Sequence, residues 1–231
     1  MPGIVDGKYY QVARPSSIAE KLLIAARDRI FDDFLERMKP LPDSRIVDVG
    51  VSDVVSEGAN VLERKYQYRH NITACGIGEA AEFQTEFPDV RYIRIEANAA
   101  LPFPDNHFDI ATANAVLEHV GSVGNQQFFV RELLRVANRA FISVPHRFFP
   151  VEHHTAIPLL HFTDIGFRIA TAATGKSSWA DQANLILMTK KKLLQLAAGL
   201  NSDVAVDYTG LKLGPLSSNL FLTLQKKTPA R

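Results

Sequence analysis

Short apolar runs alternate with amphipathic stretches along most of this chain. The apolar runs have the length of buried strands and lie at residues 46–49, 72–77, 90–95, 108–113 and 140–144. The stretches between them have helical periodicity and lie at residues 57–66, 80–86 and 126–136. Strands and helices that alternate at this spacing form right-handed βαβ units, which build a parallel sheet with helices on both faces. The alternation therefore predicts an α/β fold.

The two ends of the chain depart from this alternation. Apolar residues recur at helical spacing over residues 17–38, just before Pro40, which predicts a long N-terminal helix. After a further predicted helix at 189–200, two strand-like runs follow at 204–208 and 220–225, joined by a loop that contains glycine and proline. This last pair predicts a hairpin that closes the sheet.

Length and composition fit one compact unit rather than several. The chain has 231 residues, of which 46% are hydrophobic and 22% are charged, and this balance is typical of a folded globular protein. We expect a helical extension at residues 1–39 and a single globular domain at residues 40–231. The net charge of +1 provides no field that would attract nucleic acid, so we predict no nucleic-acid partner.

Cysteine usage and hydropathy favour the cytoplasm. Cys75 is the only cysteine, so no internal disulfide can form, and its apolar neighbours indicate a buried strand rather than a nucleophile. The N-terminus lacks the apolar core of a signal peptide, and no stretch approaches the ~18 apolar residues of a membrane span. We therefore expect a cytoplasmic protein without stable membrane insertion, and the sequence gives no basis for predicting an oligomeric state.

A single glycine follows the first predicted strand. Residues 45–50, Arg-Ile-Val-Asp-Val-Gly, have the pattern of a strand that runs into a tight turn. Ligands of open parallel sheets bind beyond the carboxyl ends of the strands, so the loop from Gly50 to Ser56 should lie next to a nucleotide-like ligand. Glycine lets the backbone approach that ligand because it has no Cβ. A turn in an unrelated Rossmann-like fold would have the same pattern, so this segment alone leaves the ligand open.

A second informative segment lies about sixty residues further on. Residues 101–109, Leu-Pro-Phe-Pro-Asp-Asn-His-Phe-Asp, precede an apolar strand and the sequence Leu-Glu-His-Val at 117–120. The prolines fix an extended loop, and Asp109 opens a strand that carries Asn114 to the carboxyl edge of the sheet. Together with Asp48 and Gly50, this segment resembles the class I S-adenosylmethionine (SAM) methyltransferases, in particular the type-11 family.

The loop after Gly50 departs from the usual glycine-rich form of that family. It resembles one branch in which a Ser-Asp segment and a Glu-x-x-Asn element replace the glycines, as Ser52-Asp53 and Glu57 to Asn60 do here with one residue fewer. The resemblance implies SAM as the cofactor. It also implies a Rossmann-like class I methyltransferase fold, with a mostly parallel seven-stranded sheet, helices on both faces and a C-terminal antiparallel hairpin.

The resemblance further implies which residues contact the cofactor. An acidic residue after the second strand, here Glu79, would accept hydrogen bonds from the ribose hydroxyls, although the family usually places that acid at the position of Gly78. Glu96 or Asn98 would lie near the adenine. The complete predicted set of cofactor-binding residues is Asp48, Gly50, Ser52, Asp53, Glu79, Glu96, Asn114 and Ala115.

The segment after the fifth strand supplies most of the candidates for the acceptor side. Residues 144–162 contain four histidines, an arginine and a glutamate, and they resemble a segment of the same family branch that contributes to the acceptor pocket. An arginine there can hold an anionic group, and a histidine or glutamate, His153 among them, can act as a general base. The prolines and the spacing fit no recognised metal-ligand pattern, so no metal is predicted. The alternative to an acceptor-binding role is that the segment is a structural lid over the core. The candidate catalytic residues are His119, His146, Arg147, Glu152 and His154.

The predicted function is methyl transfer from SAM to an oxygen or nitrogen of a small-molecule, lipid or glycan acceptor. The alternative is a methyltransferase-like protein without catalysis that acts as a scaffold or regulatory binding partner. A nicotinamide-dependent oxidoreductase is disfavoured because the first strand is not followed by a G-x-G-x-x-G turn. A nucleic-acid methyltransferase is disfavoured because no base-flipping motif such as Asn-Pro-Pro-Tyr follows the fourth strand.

Overall fold

The computed structural model describes residues 17–227, and it contains one sheet surrounded by helices. The strands are β1 (Ile46–Val49), β2 (Ile72–Gly76), β3 (Arg91–Arg94), β4 (Phe108–Asn114), β5 (Ala137–Pro145), β6 (Ser202–Leu213) and β7 (Leu216–Lys226). The α-helices are α1 (Ile18–Met38), α2 (Val61–Lys65), α3 (Ala81–Glu86), α4 (Val123–Val136), α5 (Asp164–Ala173) and α6 (Lys190–Ala197). Short 3₁₀ helices lie at Arg69–Asn71, Leu117–His119, Leu160–Phe162 and Ser177–Ala180.

The sheet has the order β3-β2-β1-β4-β5-β7-β6. β1 pairs in parallel with both β2 and β4, and β4 pairs in parallel with β5, whereas β7 runs antiparallel to β5 and to β6. The chain thus builds one half of the sheet, returns to the centre, and builds the other half. The carboxyl ends of β1 and β4 flank the switch point where such a sheet binds its ligands. This arrangement confirms the predicted α/β fold and its closing antiparallel hairpin.

The core lies on both faces of the sheet because successive strand residues point to opposite sides. Ile46 belongs to the cluster on the face that contains Ile30 and Phe34 of α1. Its neighbour Val47 belongs to the other cluster, with Val130 and Leu133 of α4. These side chains are all buried, and each contributes about 1.5–3 kcal/mol of hydrophobic stabilisation. Continuous apolar strands therefore follow from a sheet covered on both sides.

Helix α1 is fixed at both ends and in its middle. The Ser17 hydroxyl accepts a hydrogen bond from the Glu20 N–H at 3.1 Å and caps the first turn, while Lys39 ends the helix in the left-handed conformation. The Phe34 ring packs edge-on against Phe141 of β5. The Arg27 guanidinium donates to the carbonyl of Gly58, in the loop after β1. Helix α1 consequently covers the sheet and reaches the edge where β1 ends.

Several elements differ in extent from the pattern in the sequence. Helix α2 begins at Val61 rather than Glu57, because Asn60 adopts a left-handed conformation with φ of 49° and separates the helix from the loop. Strands β6 and β7 are longer than predicted because they pair as a hairpin ribbon from Ser202 to Lys226. Helix α5, which the sequence pattern does not predict, begins after Thr163, whose hydroxyl caps it. Within residues 17–227, no helix is long and apolar enough to span a bilayer.

Candidate active site

A cavity of about 1350 Å³ opens at the carboxyl edge of the sheet. Its walls include the ends of β1, β2, β4 and β5, the loops that follow them, and one face of α1. The contribution of α1 is largely apolar, with Leu23, Ala26, Ile30, Phe31 and Phe34 among the lining residues. The cavity lies at the switch point of the sheet, which is where the fold is expected to bind a ligand.

Two carboxyl groups, those of Asp48 and Glu63, meet beneath this cavity. Asp48 is 9% exposed at the end of β1, and burial raises the pKa of its carboxyl to about 7. Glu63 of α2 is fully buried; burial first, and then the charge of Asp48, raise its pKa well above 4.5. Neither Glu63 oxygen meets a hydrogen-bond donor among the described residues, and a proton held on one carboxyl lets it donate to the other. Burial thus favours a proton shared between the two carboxyl groups.

Gly50 allows the backbone to turn tightly at the end of β1. Its φ is +104°, and a Cβ at this position would lie 2.2 Å from a Cγ of Val116. Its N–H donates to the carbonyl of Cys75 at 2.7 Å, which ties the turn to β2. Only glycine fits here without strain, so no side chain separates the backbone at this position from the cavity.

The rest of the loop is closed by side chains instead of further glycines. The amide of Asn60 accepts from the N–H of Ser52 at 3.1 Å and donates to the carbonyl of Ser52 at 2.8 Å. The hydroxyl of Ser52 accepts from the N–H of Val54 at 2.9 Å. Both Ser52 and Asn60 line the cavity. This double hydrogen bond explains how a loop with one glycine keeps a fixed shape, and it uses Ser52 mainly to hold the loop.

Two residues predicted to bind the cofactor lie outside the cavity lining. The carboxylate of Asp53 accepts the N–H of Phe83 at 2.9 Å, in the first turn of α3. The side chain of Glu79 is 70% exposed and forms an ion pair with Arg94. Each carboxylate is thus oriented by a nearby partner and away from the ligand edge. At the end of β2, the cavity is lined instead by Gly76 and Ile77.

The remaining cofactor candidates line the cavity. Glu96 is exposed in the loop after β3. Asn114 ends β4, and its amide oxygen accepts a hydrogen bond from the Ser143 hydroxyl of β5. The N–H of Ala115 donates to the carbonyl of Ser143 at 2.9 Å, with Ala115 at a φ of 56°. The candidates that share this one cavity are Asp48, Gly50, Ser52, Glu96, Asn114 and Ala115.

The other polar wall of the cavity brings together Glu152, His154 and His119. The Nδ1 of His154 donates to the Glu152 carboxylate at 2.8 Å, and the Nε2 atoms of His154 and His119 lie 3.1 Å apart. The Nδ1 of His119 donates to the backbone carbonyl of Asn184 at 2.7 Å. Thr155 donates to Glu152 through its N–H and its hydroxyl, both at 2.6 Å. Both oxygens of Glu152 are thus used to hold this wall together.

Burial and charge shift the pKa of each group in this wall. Burial alone would raise the pKa of Glu152, but hydrogen bonds from His154 and Thr155 outweigh it and hold that pKa at about 2. Burial disfavours the charged His154, yet the hydrogen bond to Glu152 and the charge of that carboxylate outweigh burial and raise its pKa. Burial, assisted by His154, lowers the pKa of His119 to about 4. Burial also raises the pKa of Glu118 to about 7.

Two acceptor-side candidates, His146 and Arg147, do not line this cavity. The Nδ1 of His146 is 3.1 Å from the carbonyl of Ser217, in the closing hairpin. The guanidinium of Arg147 donates to the carbonyl of His161 at 3.0 Å and to Asp164 at 2.6 Å. These side chains fasten the segment after β5 to the rest of the protein. The prediction that they face the acceptor does not agree with this geometry, since their hydrogen bonds are directed to the protein itself.

Some residues of the site carry no signal in the sequence. Glu63 lies in an amphipathic helix where a glutamate is ordinary, and Glu118 precedes a candidate histidine without being a candidate itself. The apolar face of α1 has the periodicity of any helix that packs on a core. The one usable signal is Asn60, which belongs to the Glu-x-x-Asn element recognised by resemblance.

Comparison with known proteins agrees with the fold. Residues 47–140 match the family model described as a methyltransferase domain. No curated protein matches the sequence. The magnesium protoporphyrin IX methyltransferase of Synechocystis PCC 6803, solved with bound SAH, has 10% identity and a TM-score of 0.61, with 94% of this chain and 90% of that chain covered.

Two further structures share the fold. A SAM-dependent methyltransferase from Methanosarcina mazei has 16% identity and a TM-score of 0.54, with coverage of 85% of this chain and 96% of that chain. A structure from Rhodobacter sphaeroides, described as a putative zinc-dependent alcohol dehydrogenase, has 12% identity and a TM-score of 0.58, with coverage of 91% and 98%. At these identities, structural likeness establishes the fold and not the activity.

The family match covers the ligand-binding edge of the sheet. Residues 47–140 contain most of β1, the turn at Gly50, and β4 with Asn114, and these elements line one edge of the cavity. A bare backbone turn, carboxyl and amide groups at the strand ends, and a large cavity fit a nucleoside-containing cofactor. Residues 47–140 are therefore similar to a methyltransferase domain, and the chain shares the fold of solved SAM-dependent methyltransferases.

Proposed function

We propose that the chain methylates an oxygen or nitrogen atom of an acceptor that binds in the same cavity as SAM. The observation that carries this proposal is the extent of the cavity, which reaches from Asp48 and Asn114 to His119, Glu152 and His154. Its volume of about 1350 Å³ exceeds the roughly 300–1,000 Å³ typical of a site for one small ligand. The cavity therefore has room for both cofactor and acceptor.

The residues at the sheet edge are the ones we assign to the cofactor. Asp48, Gly50, Asn114 and Ala115 surround the switch point, and Glu96 provides an exposed carboxylate after β3. When bound, SAM supplies an electrophilic methyl group on a sulfonium centre. The task of the protein is then to align the acceptor with that group and to exclude water, without a nucleophilic residue of its own.

The apolar wall favours an acceptor with a substantial apolar part. Helix α1 contributes mostly apolar side chains to its cavity face, and Phe128, Phe129 and Phe149 line other parts. Such walls bury apolar ligand surface, while a few polar groups fix orientation. Of the small-molecule, lipid and glycan acceptors that the sequence leaves open, this wall supports a small molecule or lipid over a glycan.

Binding of SAM and of S-adenosylhomocysteine to the purified chain, measured by calorimetry, tests the first half of the proposal. Glu96→Gln should weaken binding by about tenfold, as expected when one charged hydrogen bond is lost. Glu79→Gln is the matched control, because it removes a carboxylate that lies outside the cavity, and it should leave affinity unchanged. The reverse order of effects would contradict the assignment of the cofactor residues.

Transfer of a labelled methyl group from SAM to a panel of apolar alcohols, amines and lipids tests the second half. Incorporation that requires the folded chain supports the enzyme. The alternative function, a scaffold or binding partner without catalysis, is favoured if neither SAM nor S-adenosylhomocysteine binds.

A further inference from the structure

Three possible metal ligands meet at one wall of the cavity, although they come from two separate segments of the chain. Glu118 and His119 belong to the connection after β4, and His154 belongs to the connection after β5. One ligand atom from each lies within 4.8 Å of the other two. The sequence predicts no metal, because the spacing of the histidines after β5 fits no recognised ligand pattern.

The separations suit a single small cation. The Nε2 atoms of His119 and His154 are 3.1 Å apart, and Glu118 Oε1 is 3.9 Å from Nε2 of His119. Tetrahedral zinc with bonds of roughly 2.0–2.1 Å needs its ligand atoms to be about 3.3 Å apart. A point equidistant from three atoms with the observed separations lies at most about 2.4 Å from each, so small side-chain rotations would complete the site.

The hydrogen bonds of His119 and His154 engage Nδ1 of each ring and leave the two Nε2 atoms for a metal. His119 directs Nδ1 to a backbone carbonyl and His154 directs Nδ1 to the Glu152 carboxylate, and neither acceptor can donate a proton in return. In their neutral forms both imidazoles therefore present an Nε2 lone pair, and these two lone pairs face each other. Outer carboxylate and carbonyl partners that fix the tautomer in this way usually surround a histidine–metal site.

Glu118 supplies an independent observation. Its side chain is 1% exposed, and neither carboxylate oxygen meets a hydrogen-bond donor among residues 17–227. A buried carboxylate without a donor is unfavourable, since desolvation is then uncompensated. A cation between Glu118 and the two histidines would remove this cost. His119 and His154 line the large cavity, so an ion has a route of entry.

We propose that Glu118, His119 and His154 bind a divalent transition-metal ion of the zinc type, with at least one coordination position open toward the cavity. Two imidazoles and one carboxylate form a ligand set that suits zinc or iron(II) and disfavours calcium and magnesium. Metal binding here is independent of methyl transfer. The further expectation that the ion holds an oxygen atom of the acceptor rests on the proposed function.

Zinc titration of the purified full chain, after removal of metals with a chelator, tests the site. We expect one equivalent of Zn²⁺ to bind, with Glu118→Gln, His119→Gln and His154→Gln each roughly 100-fold weaker or more. Glu152→Gln keeps all three ligands but removes the carboxylate that orients His154, so it should weaken zinc binding by about 10–100-fold. His161→Gln is the matched control, since it removes a buried histidine outside the ligand set and should bind zinc as the wild type does.

Substitution with Co²⁺ separates ligands from structural residues. The visible absorption of cobalt bound to nitrogen and oxygen ligands should persist in Glu152→Gln and disappear in His119→Gln, with far-ultraviolet circular dichroism confirming that each variant is folded. Zinc should raise the unfolding temperature of the wild type but not of His119→Gln. The proposal is overturned if the chain binds no zinc, which would mean that the histidine pair shares a proton. It is equally overturned if the ligand variants bind zinc as tightly as the wild type.

Discussion

Replacing both Asp48 and Glu63 by their amides should change how the stability of the protein depends on pH. The carboxyl of Asp48 has a pKa of about 7 in the folded chain, against an ordinary value of 3.8, because it is buried. Its contribution to stability is therefore complete below about pH 4 and is lost as the pH rises through about 7. The two amides of the double variant would form a neutral pair of similar shape that does not titrate.

The magnitude follows from the two pKa values. A carboxyl that titrates near 7 when folded and near 3.8 when unfolded loses roughly 2–3 kcal/mol of stability between about pH 5 and pH 8. Glu63, whose pKa is also raised, can only add to this loss. The stability of the Asp48→Asn/Glu63→Gln variant, relative to the wild type, should thus increase by at least that amount over this range.

Urea denaturation at half-unit pH intervals, without cofactor, measures this difference. The comparison between variant and wild type is needed because His119 and His153 also make stability depend on pH. Burial mainly lowers the pKa of each to about 4, so their effect on stability has the opposite sign in both proteins. Their contributions cancel when the variant is compared with the wild type. A difference in unfolding free energy that stays constant within about 0.5 kcal/mol from about pH 5 to pH 8 would refute the assignment of a shared proton.

Two further predictions concern the turn and the thiol beside it. Gly50→Ala should destabilise the chain by about 2–4 kcal/mol, because it adds positive-φ strain and overpacking against Val116. A double-mutant cycle with Val116→Ala, measured by thermal unfolding, should restore only the part of the stability that is lost to overpacking. Additive effects of the two substitutions would contradict the contact between these residues. Burial raises the pKa of the Cys75 thiol to about 12, so alkylation at about pH 8 should require unfolding, whereas rapid labelling of the native chain would show an exposed thiol.

The sequence alone determined the layered α/β fold. Strand lengths, helical periodicity and the alternation between them follow from local backbone geometry, which repeats about every two or 3.6 residues and is visible in the chain. The same logic placed Asp48, Gly50, Asn114 and Ala115 together, because residues that end parallel strands meet at one edge of the sheet.

Side-chain direction within loops was decided by tertiary contacts. Asp53 and Glu79 follow strands as a cofactor ligand should, yet Asp53 binds the first turn of α3 and Glu79 pairs with Arg94. Arg147 lies in a segment that contributes to the cavity, but it fastens that segment to Asp164. A motif gives the position of a residue along the backbone, whereas the direction of a loop side chain depends on which partner lies nearest.

The cluster of Glu118, His119 and His154 shows the same division most clearly. Its two histidines lie 35 residues apart in the sequence, on either side of a helix and a strand, and no spacing rule relates them. Only the pairing of β4 with β5 brings the two connections to the same wall, where the Nε2 atoms of His119 and His154 lie 3.1 Å apart. Local periodicity thus determined the helices, the strands and the α/β fold. Packing between distant segments determined which side chains share a site.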